Sequence, residues 1–175
     1  MAQRHYSVDI ESTGTDPEHT AVIQLAAIEF DLDGKQLIPT RVFDRCMYIP
    51  ESRRWDESTR DFWMSQPKHV LDNIWNRMED PKIVLKAFGE WMGYADENYI
   101  WAKPTSFEMP FLSSYYREFE VPQPWHYRNG MDVNTWLRAK GIENPTKWAK
   151  EIPFVGDVHD AIADCIHQAR TVISC

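Results

Sequence analysis

Apolar and polar residues alternate along 6–11 (YSVDIE), the period-two pattern of a β-strand with its side chains on opposite faces. Residues 21–31 (AVIQLAAIEFD) are almost continuously apolar and predict a second strand. Asp33-Gly34 carries a hairpin-type turn signal, and a third strand is expected over 41–49. The chain therefore opens as an antiparallel three-strand meander. Its pattern then changes. A helix is predicted over 57–66, capped by Ser58 and ended before Pro67, with further helices over 70–78 and 82–95. In the last of these Ile83, Leu85, Ala87, Phe88, Trp91, Met92 and Ala95 form an apolar stripe.

Residues 98–102 (NYIWA) are short, aromatic and β-branched, as an interior strand requires. The next helix is expected over 107–119, starting close to Ser106 because Pro110 is tolerated only in a first turn. A short strand over 125–127 and a helix over 132–140 stopped by Gly141 follow. Residues 143–156 hold two prolines and no clean period, and read as a loop. The final helix begins near His159 or Asp160 and buries Ala161, Ile162, Cys165, Ile166, Ala169, Val172 and Ile173. Strands first, then strands mixed with helices, predict an α/β sheet with helices on both faces.

Composition narrows this picture little. The 175 residues can bury a full core and are expected to form one domain over 1–175. No apolar run approaches the roughly 20 residues of a membrane span, and the first strand starts too early to leave room for a signal peptide. Cys46, Cys165 and Cys175 are scattered and odd in number, which fits a reducing cytosol better than a disulfide framework. Cys165 and His167 near His159 lack the second pair that a zinc site needs. A net charge of −8 argues against broad electrostatic binding of long duplexes. It leaves room for a nucleic-acid enzyme whose acids hold metal, and eight Trp can supply stacking surfaces.

The chemistry lies in the acids. Asp9 and Glu11 share one face of the first strand, about 7 Å apart at Cα, with Val8 and Ile10 on the other. Two like charges there are costly unless something positive lies between them, and a divalent cation suits carboxylate oxygens. A solvent-facing edge strand is the alternative. Glu108 stands in the first turn of its helix, where the dipole also favours an acid. Asp164 falls just outside the last helix's apolar stripe, beside Ala161 and Cys165, and His159 lies five residues before it.

In order and spacing this set resembles the DEDDh branch of the 3′–5′ exonucleases. The D-x-E-x-T-G motif is Asp9-Ile10-Glu11-Ser12-Thr13-Gly14, F-D-x-x-x-L is Phe107-Glu108-Met109-Pro110-Phe111-Leu112, and H-x-A-x-x-D is His159 to Asp164. The surrounding text is similar to a small phage and bacterial subfamily that includes exodeoxyribonuclease VIII-like proteins and a mycobacterial exoribonuclease. Shared features are the Trp-containing helix after the third strand (Thr59 to Gln66), the segment Asp132 to Thr135, and the run His159 to Ala169. One position departs: the second motif's acid is Asp in the family and Glu108 here, which lengthens its reach by about 1.3–1.5 Å.

The resemblance implies a ribonuclease H-like mixed sheet, the antiparallel meander joined by parallel strands. It implies phosphodiester hydrolysis with two divalent ions, Mg²⁺ or Mn²⁺, about 3.5–4 Å apart. Asp9, Glu11 and Asp164 would hold one ion, Asp9 and Glu108 (through water) the other, and His159 would deprotonate the attacking water. The substrates implied are 3′ ends of single-stranded RNA or DNA, and the products nucleoside monophosphates, in a bacterial or phage-infected cytosol and away from membranes. Thr13, Phe62, Trp63 and Phe107 are candidates for holding the terminal base, at least one of Phe62 and Trp63 packing inward, and Lys147 and Lys150 for meeting the phosphate chain. Related exonucleases are often dimers, but no segment here identifies an interface, so a homodimer stays open. A nuclease-fold protein that binds 3′ ends without cutting them, its catalysis weakened at Glu108, is the rival reading.

Overall fold

The computed structural model describes residues 3–34, 37, 39 and 41–175. Six strands form one mixed sheet: β1 (Arg4–Ser12), β2 (Val22–Phe30), β3 (Arg41–Met47), β4 (Met78–Glu79), β5 (Asn98–Ala102) and β6 (Gly130–Asp132). Their order is β4-β3-β2-β1-β5-β6. β1, β2 and β3 pair antiparallel, while β5 joins β1, β6 joins β5 and β4 joins β3 in parallel. At the turn predicted at Asp33-Gly34, the Gly34 N–H bonds the Asp31 carbonyl. Lys35, Gln36, Ile38 and Thr40, which continue that connection, lie outside the described residues.

Helices cover both faces. Val8, Ile10, Leu25 and Ile100 pack with α3 (Pro81–Met92) and α4 (Thr105–Glu118) on one side. Ala26, Ile28 and Trp101 pack with α5 (Val133–Ala139) and α7 (Ala161–Ile173) on the other. α1 (Glu57–Ser65) and α2 (Lys68–Trp75) seat Trp63, Val70 and Ile74 against Ile23 and Cys46. Among the described residues no helix is long and apolar enough to cross a membrane.

Five expectations need correction. The stretch 143–156 contains a helix, α6 (Pro145–Glu151), because Asn144 caps it by accepting from the Lys147 N–H at 2.9 Å and Pro145 suits its first turn. The two prolines, one of them inside its first turn, hid it. The strand expected at 125–127 instead forms at β6, where Gly130, Met131 and Asp132 pair with Ile100, Trp101 and Ala102; Trp125 packs into the core against Tyr116. Ser58 lies inside α1, and the N-cap position is Asp56, which makes no side-chain cap. α4 begins at Thr105, whose N–H reaches the Asp132 carboxylate at 3.3 Å, so Pro110 sits a turn deeper than a first-turn proline. The helix predicted over 70–78 also ends early: α2 stops at Trp75, and Met78 enters β4.

The loops around the end of β1 are tied to α4 by one buried guanidinium. Arg53 donates to the carbonyls of Pro17 (2.7 Å) and Thr20 (2.9 Å), to Ser114 Oγ (2.7 Å) and to the Glu118 carboxylate (2.7 Å from Nε). It also lies over the Tyr115 ring, 4.1 Å from the centroid. Only 1% of its side chain is exposed, so each donor lost leaves a buried acceptor unpaired. Arg53→Met should lower the unfolding free energy by about 3 kcal/mol. Urea denaturation would measure it, and an unchanged midpoint would show the network to be dispensable.

Candidate active site

The strand β1 carries Asp9 and Glu11 on the face that α7 covers. Directly across from Asp9 stands Ala26, whose small side chain lets the helix approach. α7 meets it with Ala161, Cys165 and Ala169, and the Cys165 thiol donates to the Ala26 carbonyl at 3.3 Å. That approach delivers Asp164. One oxygen from each of Asp9, Glu11 and Asp164 lies within 4.8 Å of the others. The register of β1 against β2 shifts between Glu11 and Ser12, a bulge of the kind that re-aims side chains beside a site. Gly14 follows, where a Cβ would overlap the Asp56 carboxylate and the Thr20 methyl, so the motif's turn needs glycine for space.

Glu108 arrives from α4. It stands apart from the three-acid group, yet its charge acts on both Asp9 and Glu11. It is only 4% exposed, and its Oε2 has no hydrogen-bond partner. Burial, with the nearby Asp132 charge adding to it, pushes its carboxyl up to about 8. Burial also holds Asp9 and Glu11 well above the usual carboxylate range; the Glu11, Glu108 and Asp164 charges raise Asp9 further, and those of Asp164, Asp160 and Glu108 raise Glu11. Asp164 is raised by burial too, offset in part by the His159 backbone N–H, which donates to its Oδ2 at 3.2 Å.

The residues before α7 form a held turn. His159 has a φ of 66°, a left-handed backbone that a non-glycine residue adopts only when its surroundings fix it. Its own N–H is bound by Asp164. On its other side Gln24, 1% exposed on β2, donates to Asp160 Oδ1 at 3.1 Å and to Asp44 Oδ1 at 2.9 Å, and accepts from the Ala161 N–H at 3.4 Å. Farther out, His69 Nε2 meets Asp157 Oδ2 at 3.1 Å, joining the turn to α2.

The remaining predicted residues divide. Phe62 is 40% exposed and meets the His159 ring edge-on, with centroids 5.0 Å apart. Trp63 packs inward and donates from Nε1 to the Ser12 carbonyl at 3.0 Å, bracing the end of β1. The Thr13 hydroxyl is consumed inside the protein: it donates to the Arg54 carbonyl and accepts from the Ala21 N–H, each at 2.7 Å. Phe107 is half-buried and packs on Phe111, with centroids 4.9 Å apart. Lys147 and Lys150 are exposed on α6.

Two glutamines escaped the sequence reading. Gln24 was hidden as one polar residue in an apolar strand. Gln168 donates to Asp9 Oδ1 at 2.7 Å, and its only signal was a place four residues after Asp164 on the same helical face. The donor set, oxygen-only, buried and mutually repelling, fits a hard divalent cation. Among the described residues no lysine or arginine forms an ion pair with Asp9, Glu11, Glu108 or Asp164.

The family described as the 3′-5′ exoribonuclease Rv2179c-like domain matches residues 4–175. No curated protein matches the chain in sequence. Among solved structures, cell-death related nuclease 4 (CRN-4) superposes with a TM-score of 0.72 at 16% identity, covering 98% of this chain and 63% of that one. The nuclease domain of 3′hExo, a DEDDh family member bound to rAMP, gives 0.70 at 14% identity, covering 98% and 90%. S. pombe Pop2p in its Mg²⁺- and Mn²⁺-bound form gives 0.69 at 12% identity, covering 97% and 81%. The chain thus spans somewhat less than two thirds of the cell-death nuclease, and these likenesses establish the ribonuclease H-like fold.

A carboxyl raised on folding keeps a proton in the folded chain that the unfolded chain has lost, so stability falls as pH rises between the two values. Without divalent ions the Glu108 contribution should cost the chain stability from about 4.5, the ordinary value for Glu, up to about 8. Glu108→Gln should flatten part of that fall. Urea titrations from pH 4 to 9 in EDTA measure both slopes, and identical slopes would show that Glu108 is not buried in charge-hostile surroundings.

Proposed function

The chain belongs to the Rv2179c-like 3′–5′ exoribonuclease domain family, and we propose that it removes nucleoside monophosphates from single-stranded or overhanging 3′ ends of RNA or DNA. The reading takes 1–175 as one nuclease domain acting in a reducing cytosol. The convergence of Asp9, Glu11 and Asp164, with His159 held beside Asp164, is the observation that supports it most directly.

Asp9, Glu11 and Asp164 would hold one divalent ion, Mg²⁺ or Mn²⁺, and Asp9 with Glu108 a second. When bound, such ions activate a water and neutralise charge developing on the phosphate. The orphaned Glu108 Oε2 supports the second assignment, since a buried oxygen without a donor is costly unless something binds it. Gln168 aims Asp9 by bonding one of its oxygens, which leaves the other free to ligate.

His159 would take the proton from the attacking water, a task suited to imidazole near neutral pH. Phe62 stands at the mouth of the site with an open ring, and supports stacking of the terminal base. The committed hydroxyl of Thr13 and the inward packing of Trp63 favour supporting parts for those residues.

Incubating 5′-labelled single-stranded RNA and DNA with Mg²⁺ or Mn²⁺ tests the reading. A ladder shortening from the 3′ end is expected. Retardation without cleavage would establish the binding protein instead. His159→Ala should lower turnover by about 10²–10⁴-fold with metal affinity intact, by calorimetry. Intact turnover would remove His159 from the mechanism. Glu108→Asp restores the family's acid, and equal activity and metal affinity in both forms would show that the extra methylene is harmless.

A further inference from the structure

Every charged group so far placed at the acid cluster is negative, and nucleic acid must bring more negative charge into it. Lys103 is the cation the fold delivers there. β5 runs parallel to β1 with Trp101 beside Ser7, and Trp101 packs on the face that α7 covers. Side chains two apart on a strand share a face. Lys103 follows Trp101 by two residues, one past the end of β5, and a residue before proline keeps extended backbone, so the alternation carries its side chain toward the side of Asp9 and Asp164.

Its surroundings agree with that placement. The side chain is half-buried, and burial lowers its ammonium while the Asp164 charge pulls it back up. Yet Lys103 takes part in no ion pair among the described residues. By contrast Lys68 pairs with Asp72 at 2.7 Å and Lys140 lies 4.6 Å from the Trp136 ring centroid. An ammonium kept partly out of water beside an acid, without a close partner, can still donate three hydrogen bonds. Neutralising the acids would call for a contact pair, whereas a phosphate brought in by the substrate can accept from the free donors.

We propose that Lys103 is a substrate-binding residue that grips a backbone phosphate next to the 3′-terminal nucleotide. The proposal rests on the nuclease reading above and adds the group that recognises the chain apart from any metal. It also separates two tasks within the site: the acids handle the ions, and Lys103 handles the nucleic acid. Lys147 and Lys150, fully exposed on α6, have no such placement against the acids.

The test uses Lys103→Met and Lys103→Arg in the full chain, each checked for an unaltered melting temperature. Affinity for a 5′-fluorescein RNA hexamer is measured in Ca²⁺ over a series of salt concentrations, and Mn²⁺ affinity by calorimetry. Lys103→Met should weaken hexamer binding about tenfold, the loss of one charge-assisted hydrogen bond. The slope of log affinity against log salt should become shallower by about 0.7, one phosphate contact on a single strand. Lys103→Arg should recover the slope. Unchanged hexamer affinity and slope, with tighter Mn²⁺ binding, would overturn the proposal and leave Lys103 as a counter-charge for the acids. If the unaltered protein binds the hexamer but does not cut it, the exonuclease reading fails while this comparison still decides the role of Lys103.

Discussion

Three carboxylates crowded at one end of a buried strand, with a fourth buried nearby, are the constraint on which this structure turns. Asp9 and Glu11 are fixed by the pleat of β1, Asp164 by the approach of α7, and Glu108 by the first turn of α4. Each is pushed toward its protonated form by burial, and the charges of neighbouring acids raise Asp9 and Glu11 further. Replacing any one of them by an apolar residue of similar size would relieve that repulsion. Their joint presence therefore points away from stability and toward chemistry that needs them.

The rest of the fold is arranged to hold these groups against their repulsion. Ala26 and the small residues of α7 remove the bulk that would keep Asp164 away from Asp9. Gln168 and the His159 N–H each supply a donor to one acid without adding a positive charge that would compete with a cation. Gln24 reaches from the middle of the sheet to the start of α7, and Arg53 locks the loops beyond β1 to the helix that carries Glu108. Such groups make the arrangement a rigid one, and rigidity is what a site of closely spaced ligands requires.

The division of labour between neighbouring aromatics follows from helix geometry. Phe62 and Trp63 are adjacent in α1, so they point about 100° apart, and one must turn inward when the other faces the site. Trp63 goes inward because its indole N–H finds the Ser12 carbonyl, which the bulge in β1 leaves free to accept it. Phe62 has no polar atom to satisfy and can stay at the surface against His159.

The sequence by itself determined the meander, the strand Asn98–Ala102, the helices that carry long apolar stripes, and the identity of the acids and His159. These are properties of local period and of short spacings, which survive without knowledge of what lies across the sheet. It did not reveal α6 or β6: α6 lies in a stretch broken by Pro145 and Pro153, β6 has only three residues, and both are defined by what they pack or pair against. Nor did it mark Gln24, Gln168, Arg53 or Lys103. Each stands many residues from its partners, and a single polar side chain has no meaning until the fold decides what surrounds it. Only the tertiary structure could show that Glu108 is buried without a donor, that the Thr13 hydroxyl is already used, and that Phe62 rather than Trp63 stays exposed beside His159. Burial and partnership are set by contacts between distant segments, and no local pattern records them.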